Sequence, residues 1–371
     1  MPNGSKILPA DPKAGYLAAQ AEIDAAIKRV MLSGQYILGP ELAAFEKEFA
    51  AWLGVDGVVG VANGTDALEL ALHAAGIGPG DKVVTVANTV TATVSAIGAT
   101  GARPVFVDVE PGTQLMDLAA LESMLSMLRD PKIKAVVPVH LYGQAVDMPE
   151  LMDLARQHNL LVIEDCAQAH GARIGDRKAG TWGQLAAFSF YPTKNLGAFG
   201  DAGAVAGGDP VFMEKVQLLR QYGWRKRYVS DLPGRNSRLD EIQAAILRVR
   251  LPRLEAENAR RADIARQYLA ALVGSPLKLP EVADGRTHCW HQFVVRTPRR
   301  DELKAHLEKK GISCGVLYPV PVHRQPAYHD AGLSLPQSEQ ACAEVLSLPL
   351  HPGLSNDDVA RVVREVLGFA W

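Results

Sequence analysis

Residues Glu164–Ala172 read EDCAQAHGA and residues Ser189–Asn195 read SFYPTKN. Each stretch stands at the end of a continuous apolar run, Leu160–Glu164 in the first case and Leu185–Tyr191 in the second. Such runs are typical of strands that are buried on both faces. The sequence has further strand-like runs at Gly57–Ala62, Lys82–Val86, Pro104–Asp108, Ala135–His140 and Ala202–Ala206. Helical spacing recurs between the runs, at Asp66–Ala75, Val90–Thr100, Leu118–Leu128, Met148–His158 and Val211–Gln221. This alternation predicts an α/β fold with a mostly parallel sheet flanked by helices.

The pattern changes at both ends of this α/β region. Residues 16–53 show helical spacing that is interrupted at Gly34, and Leu239–Leu272 is a long charged helical stretch with Pro252 inside it. Because proline lacks an amide donor, we expect a kink or break there. Further predicted elements are a strand at Cys289–Val295, a helix at Asp301–Lys310 and a last helix from Asp357. We therefore predict a large α/β domain over residues 1–238, and a linking helix with a smaller α+β domain over residues 239–371.

The composition is that of an ordinary soluble globular protein. The chain has 371 residues, of which 48% are hydrophobic and 22% are charged. The net charge of −2 offers no basic face for nucleic acid. The four cysteines form no CxxC pair, which favours buried free thiols in a reducing compartment and no metal site. We find no signal core and no apolar run long enough to span a bilayer, so we expect a cytoplasmic protein without membrane contacts.

Lys194 and Asp165 are the candidate catalytic residues. Lys194 lies on a turn among apolar and aromatic residues, where loss of solvation would lower the pKa of its amine and free it to attack a carbonyl. Asp165 follows a predicted strand, at the edge where parallel sheets bind ligands. An amine that forms a Schiff base and a carboxylate that keeps a pyridine nitrogen protonated are what a pyridoxal phosphate enzyme requires. Taken singly, the lysine could be a surface residue and the aspartate a turn cap.

Other residues complete this pattern by their order along the chain. Gly64 and Thr65 lie at the junction between a predicted strand and a predicted helix, which would make a phosphate cradle or a plain capped turn. Ser189 could bind the same phosphate, and Gln168 could reach a ring hydroxyl. Asn236 could bind an anion or cap the long helix that follows it. The remaining candidates for substrate binding are Tyr191, Asn195, Arg225, Tyr318 and His323.

These motifs resemble those of the DegT/DnrJ/EryC1/StrS family of pyridoxal-phosphate-dependent sugar aminotransferases. The likeness runs from GQYILGPELAAFEKEFA at Gly34–Ala50 to SLPLHPGLSNDDV at Ser347–Val359, and its specific motifs are NGTDAL at Asn63–Leu68, the two opening stretches, and GRNSRLDEIQAA at Gly234–Ala245. The resemblance implies an aspartate-aminotransferase-like fold (fold type I) and a homodimer with shared active sites. It also implies that L-glutamate donates the amino group to a nucleotide-linked keto sugar.

The resemblance also assigns roles to residues. Lys194 would carry the cofactor, Asp165 would pair with its pyridine nitrogen and Gln168 would lie near its ring hydroxyl. Gly64, Thr65 and Ser189 would hold the phosphate, with Asn236 reaching the phosphate of the neighbouring subunit's cofactor. Tyr318 and His323 would lie near the sugar nucleotide. Many relatives stack an aromatic residue on the cofactor where this chain has Val90, which would cover the ring by apolar contact alone.

Within the family, SFYPTKNLGAFGDAGA at Ser189–Ala204 is most similar to enzymes that aminate carbon 3 of dTDP-3-keto-6-deoxyhexoses. Enzymes that aminate carbon 4 often have Lys-Thr where this chain has Lys194-Asn195, and amination at carbon 4 is the alternative. A sugar dehydratase would have histidine in place of Lys194. A non-catalytic regulator would not need Asp165, Lys194 and Asn236 together. A nicotinamide dehydrogenase would carry GxGxxG after its first strand, which this chain lacks.

Overall fold

The computed structural model describes residues 6–371. Its α-helices are α1 (Pro12–Leu17), α2 (Gln20–Ser33), α3 (Pro40–Leu53), α4 (Gly64–Ala74), α5 (Thr91–Ala99), α6 (Leu118–Leu128), α7 (Met148–Gln157), α8 (Pro210–Leu219), α9 (Glu241–Arg250), α10 (Leu254–Leu272), α11 (Arg300–Lys309), α12 (Pro336–Glu344) and α13 (Asn356–Leu367). Its strands are β1 (Gly57–Val61), β2 (Lys82–Val86), β3 (Arg103–Val107), β4 (Ile133–Val136), β5 (Leu161–Asp165), β6 (Arg173–Ile174), β7 (Arg177–Lys178), β8 (Leu185–Ser189), β9 (Gly203–Gly207), β10 (Trp224–Lys226), β11 (Val229–Ser230), β12 (Arg286–Thr287), β13 (Phe293–Arg296) and β14 (Val345–Leu348).

A seven-stranded sheet forms the centre of the molecule, in the order β1-β9-β8-β5-β4-β2-β3. Strand β9 runs antiparallel to both of its neighbours, and the other pairs are parallel. Apolar side chains from both faces of the sheet pack under helices, α4 and α8 among them on one face and α3 on the other. The α/β fold with a mostly parallel sheet is therefore confirmed.

The seven predicted strands are the seven strands of this sheet, with shifted ends. Lys82–Val86 is reproduced residue for residue, whereas the run predicted at Ala135–His140 is regular only over Ile133–Val136. Pro138, which cannot donate to a strand ladder, stands two residues after the end of that strand. The chain then continues extended, and Val139 pairs in a single bridge with Asp165 at the end of β5.

The predicted break at Pro252 is present, and it separates two helices with different partners. Residues Leu251–Arg253 form a 3₁₀ turn between α9 and α10. Helix α9 packs on α2 and α3, and its Glu241 carboxylate accepts hydrogen bonds from three backbone amides around the start of α3, at 2.8–2.9 Å. Helix α10 packs instead on α13. We therefore propose that the division between the two units lies at the turn Leu251–Arg253 rather than at residue 239.

The smaller unit has its own apolar core. Side chains from α10, α11, α13 and the antiparallel pair β13–β14 make this core, and Ile7 from the start of the chain joins it. A loop from this unit, Leu317–Tyr318, contacts the larger unit because the Tyr142 hydroxyl donates to the carbonyl of Leu317. Within residues 6–371, no helix combines the length and the apolarity needed to cross a membrane.

Candidate active site

A cavity of about 590 Å³ opens at the carboxyl ends of β5 and β8. Asp165 is the last residue of β5, and Ser189 is the last residue of β8. The start of α4 and the turn that carries Lys194 complete the wall on this side, while His291, Gln292 and Tyr318 face them from the smaller unit. This is the edge at which open α/β sheets bind ligands, and it lies between the two units.

Lys194 borders this cavity from a tight turn. The backbone amide of Lys194 donates to the carbonyl of Tyr191 at 2.8 Å, which closes the turn after β8. Loss of solvation lowers the pKa of Lys194, the nearby Asp165 carboxylate raises it, and the net value is about 8. With a pKa of about 8, roughly a tenth of the amine is unprotonated at pH 7, and this form can act as a nucleophile and proton carrier.

Asp165 is held by two donors from its own protein. Its Oδ2 accepts from the Thr93 hydroxyl at 2.9 Å, and its Oδ1 accepts from the amide of Ala167 at 3.1 Å. The Thr89 and Thr93 hydroxyls lie 2.9 Å apart, so a proton from Thr89 completes a chain that ends on the carboxylate. Because a carboxylate has about four acceptor positions, Asp165 can still accept from a protonated ring nitrogen.

The start of α4 fits a phosphate group. The extended residue Asn63 caps the helix through its side chain, which accepts from the amide of Asp66 at 2.8 Å. The amides of Gly64 and Thr65 precede the intrahelical ladder and border the cavity. A Cβ atom on Gly64 would lie 2.5 Å from the Cβ of Ser189, so only glycine permits this approach. The backbone amides and the serine hydroxyl can then surround one anion.

Gln168 and Tyr318 join the two walls of the cavity. The Gln168 Oε1 accepts from the amide of Tyr142 at 2.7 Å, and its Nε2 donates to the Tyr318 hydroxyl at 3.0 Å. Burial is the largest cause that raises the pKa of Tyr318, and the charge of Asp165 adds to it, so the phenol stays protonated. The phenol can therefore donate its own proton to a group in the cavity.

The other predicted site residues divide into two sets. Val90 and Tyr191 border the cavity, and both residues are partly exposed. Arg225 and Asn236 are not among the residues that border the cavity of their own chain. Arg225 lies on the exposed hairpin β10–β11 and pairs with Glu214 at 2.5 Å and Asp231 at 2.9 Å.

The structure differs from the predicted substrate contacts at two residues, Asn195 and His323. The Asn195 side chain is buried, and its amide group makes hydrogen bonds with Asn258, Cys289 and His291. The His323 ring is fully buried beside Phe106, and its Nε2 lies 3.1 Å from the Glu339 carboxylate. Both residues therefore support the protein around the site, because neither has a side chain in the cavity of this chain.

Sequence reasoning missed two groups of site residues. Thr89 and Thr93 supply the hydroxyl chain to Asp165, and His291 and Gln292 line the cavity from the loop before β13. The threonines carry a weak signal, since they stand four apart at the start of a helix that follows a strand. His291 carries none, because its role depends on the contact between the two units.

One buried cluster resembles a metal site by residue type, namely His140, Glu164 and Cys166. Both oxygens of Glu164 already accept hydrogen bonds, from His140 and from the amides of Gly180, Trp182 and Gly183, at 2.7–2.9 Å. The Nδ1 of His140 accepts from the amide of Val146 at 3.1 Å, so its Nε2 carries the proton that bonds Glu164. Burial also raises the pKa of Cys166 well above the ordinary thiol value. We therefore assign the cluster a structural role.

The cavity thus has the groups that pyridoxal phosphate requires: an amine, a carboxylate with open acceptor positions and a phosphate cradle.

A transaminase from Streptomyces venezuelae, dTDP-3-amino-3,4,6-trideoxy-alpha-D-glucose transaminase, is 48% identical over 364 residues, which cover 97% of this chain and 95% of the relative. The crystal structure of S. venezuelae DesV in complex with a ketimine intermediate superposes with a TM-score of 0.94, at 48% identity and 98% coverage of both chains.

A more distant structure, NtdA from Bacillus subtilis with bound cofactor PMP, gives a TM-score of 0.91 at 30% identity and covers 99% of this chain and 86% of its own. The model of the DegT/DnrJ/EryC1/StrS aminotransferase family matches residues 18–367. The match spans both units and every residue of the cavity described above. The chain belongs to the DegT/DnrJ/EryC1/StrS aminotransferase family.

Proposed function

We propose that this aminotransferase moves the amino group of L-glutamate to carbon 3 of a dTDP-linked 3-keto-6-deoxyhexose, giving a dTDP-3-amino sugar and 2-oxoglutarate. The observation that carries the proposal is the 48% identity, over nearly the whole of both chains, with a dTDP-3-amino-3,4,6-trideoxy-alpha-D-glucose transaminase. The cavity adds support, since it is large enough for a cofactor and a sugar and opens between the two units.

The protein's own groups divide the work at this site. Pyridoxal phosphate, the cofactor of the family, supplies an electron sink that stabilises negative charge at the carbon that loses its proton. Asp165 stabilises positive charge on the ring nitrogen that makes the sink effective, and Thr93 holds Asp165 in place. Lys194, with a pKa of about 8, takes the proton from glutamate and later delivers one to the sugar carbon.

The pair Lys194-Asn195 favours carbon 3 through its likeness to enzymes that aminate carbon 3. In the structure the Asn195 side chain itself is buried in a polar network. The choice between carbon 3 and carbon 4 therefore depends on residues that border the cavity, such as Tyr191 and Tyr318, together with any residues from a partner subunit.

A direct test follows the transferred nitrogen. Purified enzyme with pyridoxal phosphate is given L-[¹⁵N]glutamate and either a dTDP-3-keto- or a dTDP-4-keto-6-deoxyhexose. The product is analysed by ¹H–¹⁵N correlation NMR and release of 2-oxoglutarate is measured. Label on carbon 3 from the 3-keto sugar alone supports the proposal. Label on carbon 4 from the 4-keto sugar alone would overturn the position, and no label from either would overturn the substrate class.

We also propose that two chains share each active site, with Asn236 of one chain completing the phosphate site of the other. Asn236 is in the segment that follows the exposed hairpin β10–β11 and is not among the residues bordering its own cavity. Large apolar side chains are also exposed near this segment, among them Tyr228 and Val229 on the hairpin and Tyr36 and Ile37 before α3. Such residues are typical of a surface that a second chain covers.

A heterodimer tests the sharing. One chain carries Lys194→Ala and the other carries Asn236→Ala, and the two are purified together through different tags. If Asn236 acts across the interface, one site has both defects and the other has none, so the heterodimer keeps half of the wild-type activity. If Asn236 acts within its own chain, no site is intact, and because only one site keeps Lys194 the activity falls to half that of the Asn236→Ala homodimer. A monomeric enzyme at assay concentration would contradict the proposal outright.

A further inference from the structure

His291 borders the same cavity as Lys194 but has no place in the mechanism described above. It lies in the loop before β13, and its side chain is almost fully buried. Its Nδ1 is 3.1 Å from the Oδ1 of Asn195, the residue that follows Lys194. The ring is thus tied to the lysine turn from the opposite unit.

The orientation of Asn195 is fixed by its other contacts. Its Nδ2 donates to the backbone carbonyl of Cys289 and to the Oδ1 of Asn258, each at 2.8 Å. Asn258 is oriented in the same way, because its Nδ2 donates to the carbonyl of His170 at 2.8 Å. A backbone carbonyl can only accept, so these two carbonyls set the direction of both amides. The Oδ1 of Asn195 therefore faces His291 as an acceptor.

This orientation determines which nitrogen of His291 carries the proton. Since Asn195 Oδ1 can only accept, the Nδ1 of His291 must be the donor, and in a neutral ring Nε2 then has a lone pair. Burial, together with the positive charge of Lys194, holds the pKa of His291 well below its ordinary value, so the ring is neutral at physiological pH. The Nε2 of His291 is thus a hydrogen-bond acceptor.

We propose that the amine of Lys194, which makes no hydrogen bond within residues 6–371 of the structure, turns within the shared cavity to donate to the Nε2 of His291 when it is not bound to cofactor, and that Asn195 is the positioning residue that sets this tautomer. The bond would hold the amine in one direction while it carries a proton between substrate and cofactor. The inference rests on the proposed transfer from glutamate and deepens it, since it explains why a buried amide follows the lysine.

The tautomer can be measured without cofactor or substrate. The protein contains ten histidines. With ¹⁵N-labelled histidine, two-bond ¹H–¹⁵N correlation spectra distinguish a ring protonated on Nδ1 from one protonated on Nε2. The His291 signals are assigned by their loss in His291→Gln. We expect a neutral ring with the proton on Nδ1. A proton on Nε2, or a charged ring at neutral pH, would overturn the proposal.

Two substitutions then separate the two nitrogens of the ring. An asparagine side chain reaches about as far as Nδ1, and a glutamine side chain reaches about as far as Nε2. We expect His291→Asn to slow the reaction with L-glutamate about tenfold, the effect of one lost hydrogen bond, and to increase the isotope effect of L-[2-²H]glutamate. His291→Gln should keep the rate within about threefold, because its amide oxygen replaces the acceptor.

Equal losses in both variants with an unchanged isotope effect would show a merely structural role and overturn the proposal. Failure of the proposed function looks different, because the wild-type enzyme would then transfer no nitrogen from glutamate. In that case the assignment of Lys194 as proton carrier for glutamate is wrong, and the bond to His291 has no role there. An active wild type with the proton on Nε2 would contradict only the pairing.

Discussion

Glu164 and Asp165 are adjacent carboxylates at the end of β5, yet they lie in opposite situations. Glu164 is fully buried, and its two oxygens accept from four protein donors. Asp165 points to the cavity, and its two oxygens accept from two donors. Successive side chains of a strand point to opposite faces, so one residue of this pair is structural and the other remains open to a ligand.

The difference also appears in the charge of the buried residue. Burial opposes ionisation of Glu164, but the hydrogen bonds from His140 and from the amides of Gly183 and Gly180 outweigh it and lower the pKa of the carboxyl. A carboxylate therefore stabilises the fold when its acceptor positions are all used within the protein. A site carboxylate is recognised by the acceptor positions that remain.

The largest expected effect lies on the open side of this comparison. Lys194→Ala removes the amine that carries the proton, so we expect turnover to fall by about 10⁴-fold or more while the fold is kept. The measurement is the rate of 2-oxoglutarate release by the purified variant. Lys134→Ala, which changes an exposed lysine on β4, is the control and should leave the rate unchanged. Normal turnover in Lys194→Ala would refute the assignment.

Asp165→Asn should produce the next largest loss. The amide has the same shape and its oxygen can still accept from Thr93, but it no longer stabilises positive charge on the cofactor ring. We expect the rate with L-glutamate to fall roughly 10²- to 10³-fold, as when one preorganised electrostatic partner is lost. Thr93→Val, which removes only the hydroxyl that holds Asp165, should lose far less. Equal losses in the two variants would mean that position rather than charge is what Asp165 provides.

Glu164→Gln should affect stability rather than chemistry. The new amide group would face two of the four donors, and we expect the free energy of unfolding to fall by about 2–4 kcal/mol. Denaturant unfolding of the apo protein measures this loss, and the rate per folded, cofactor-loaded molecule should stay within about threefold of wild type. A variant that is stable but inactive would place Glu164 in the reaction and end the contrast with Asp165.

The sign of the pH dependence follows from the lowered pKa of Glu164. A carboxyl whose pKa is lower in the folded state contributes stability above its unfolded value, roughly 4.3, and loses it as the pH falls through the folded value. The difference in stability between wild type and Glu164→Gln should therefore be largest near neutral pH and shrink in acid.

The same contrast shows which site residues can be predicted from the sequence and which cannot. Asp165 and Ser189 end strands, Gly64 begins a helix and Lys194 lies on the turn after β8, and a strand-end position is visible in the pattern of apolar runs. The sequence predicts that Asn195 and His323 contact the substrate, whereas the structure buries both side chains outside this cavity, because burial of a loop side chain depends on distant segments. Asn195 is buried by Asn258 and Cys289, which are 63 and 94 residues away.

The smallest effect is expected in the phosphate cradle, which the sequence also predicted. Gly64→Ala would place a Cβ atom 2.5 Å from the Cβ of Ser189, so the backbone must move and the amides and hydroxyl that face the phosphate would separate. We expect cofactor affinity to fall roughly 10- to 100-fold, the effect of one weakened charge-assisted hydrogen bond. Gly98→Ala in α5 is the matched control, because a Cβ atom there meets nothing within 4 Å. Titration of apo enzyme with pyridoxal phosphate measures both variants. Unchanged affinity in Gly64→Ala would show that the close approach to Ser189 serves packing alone, and the cradle would then have to rely on Thr65 and the partner chain.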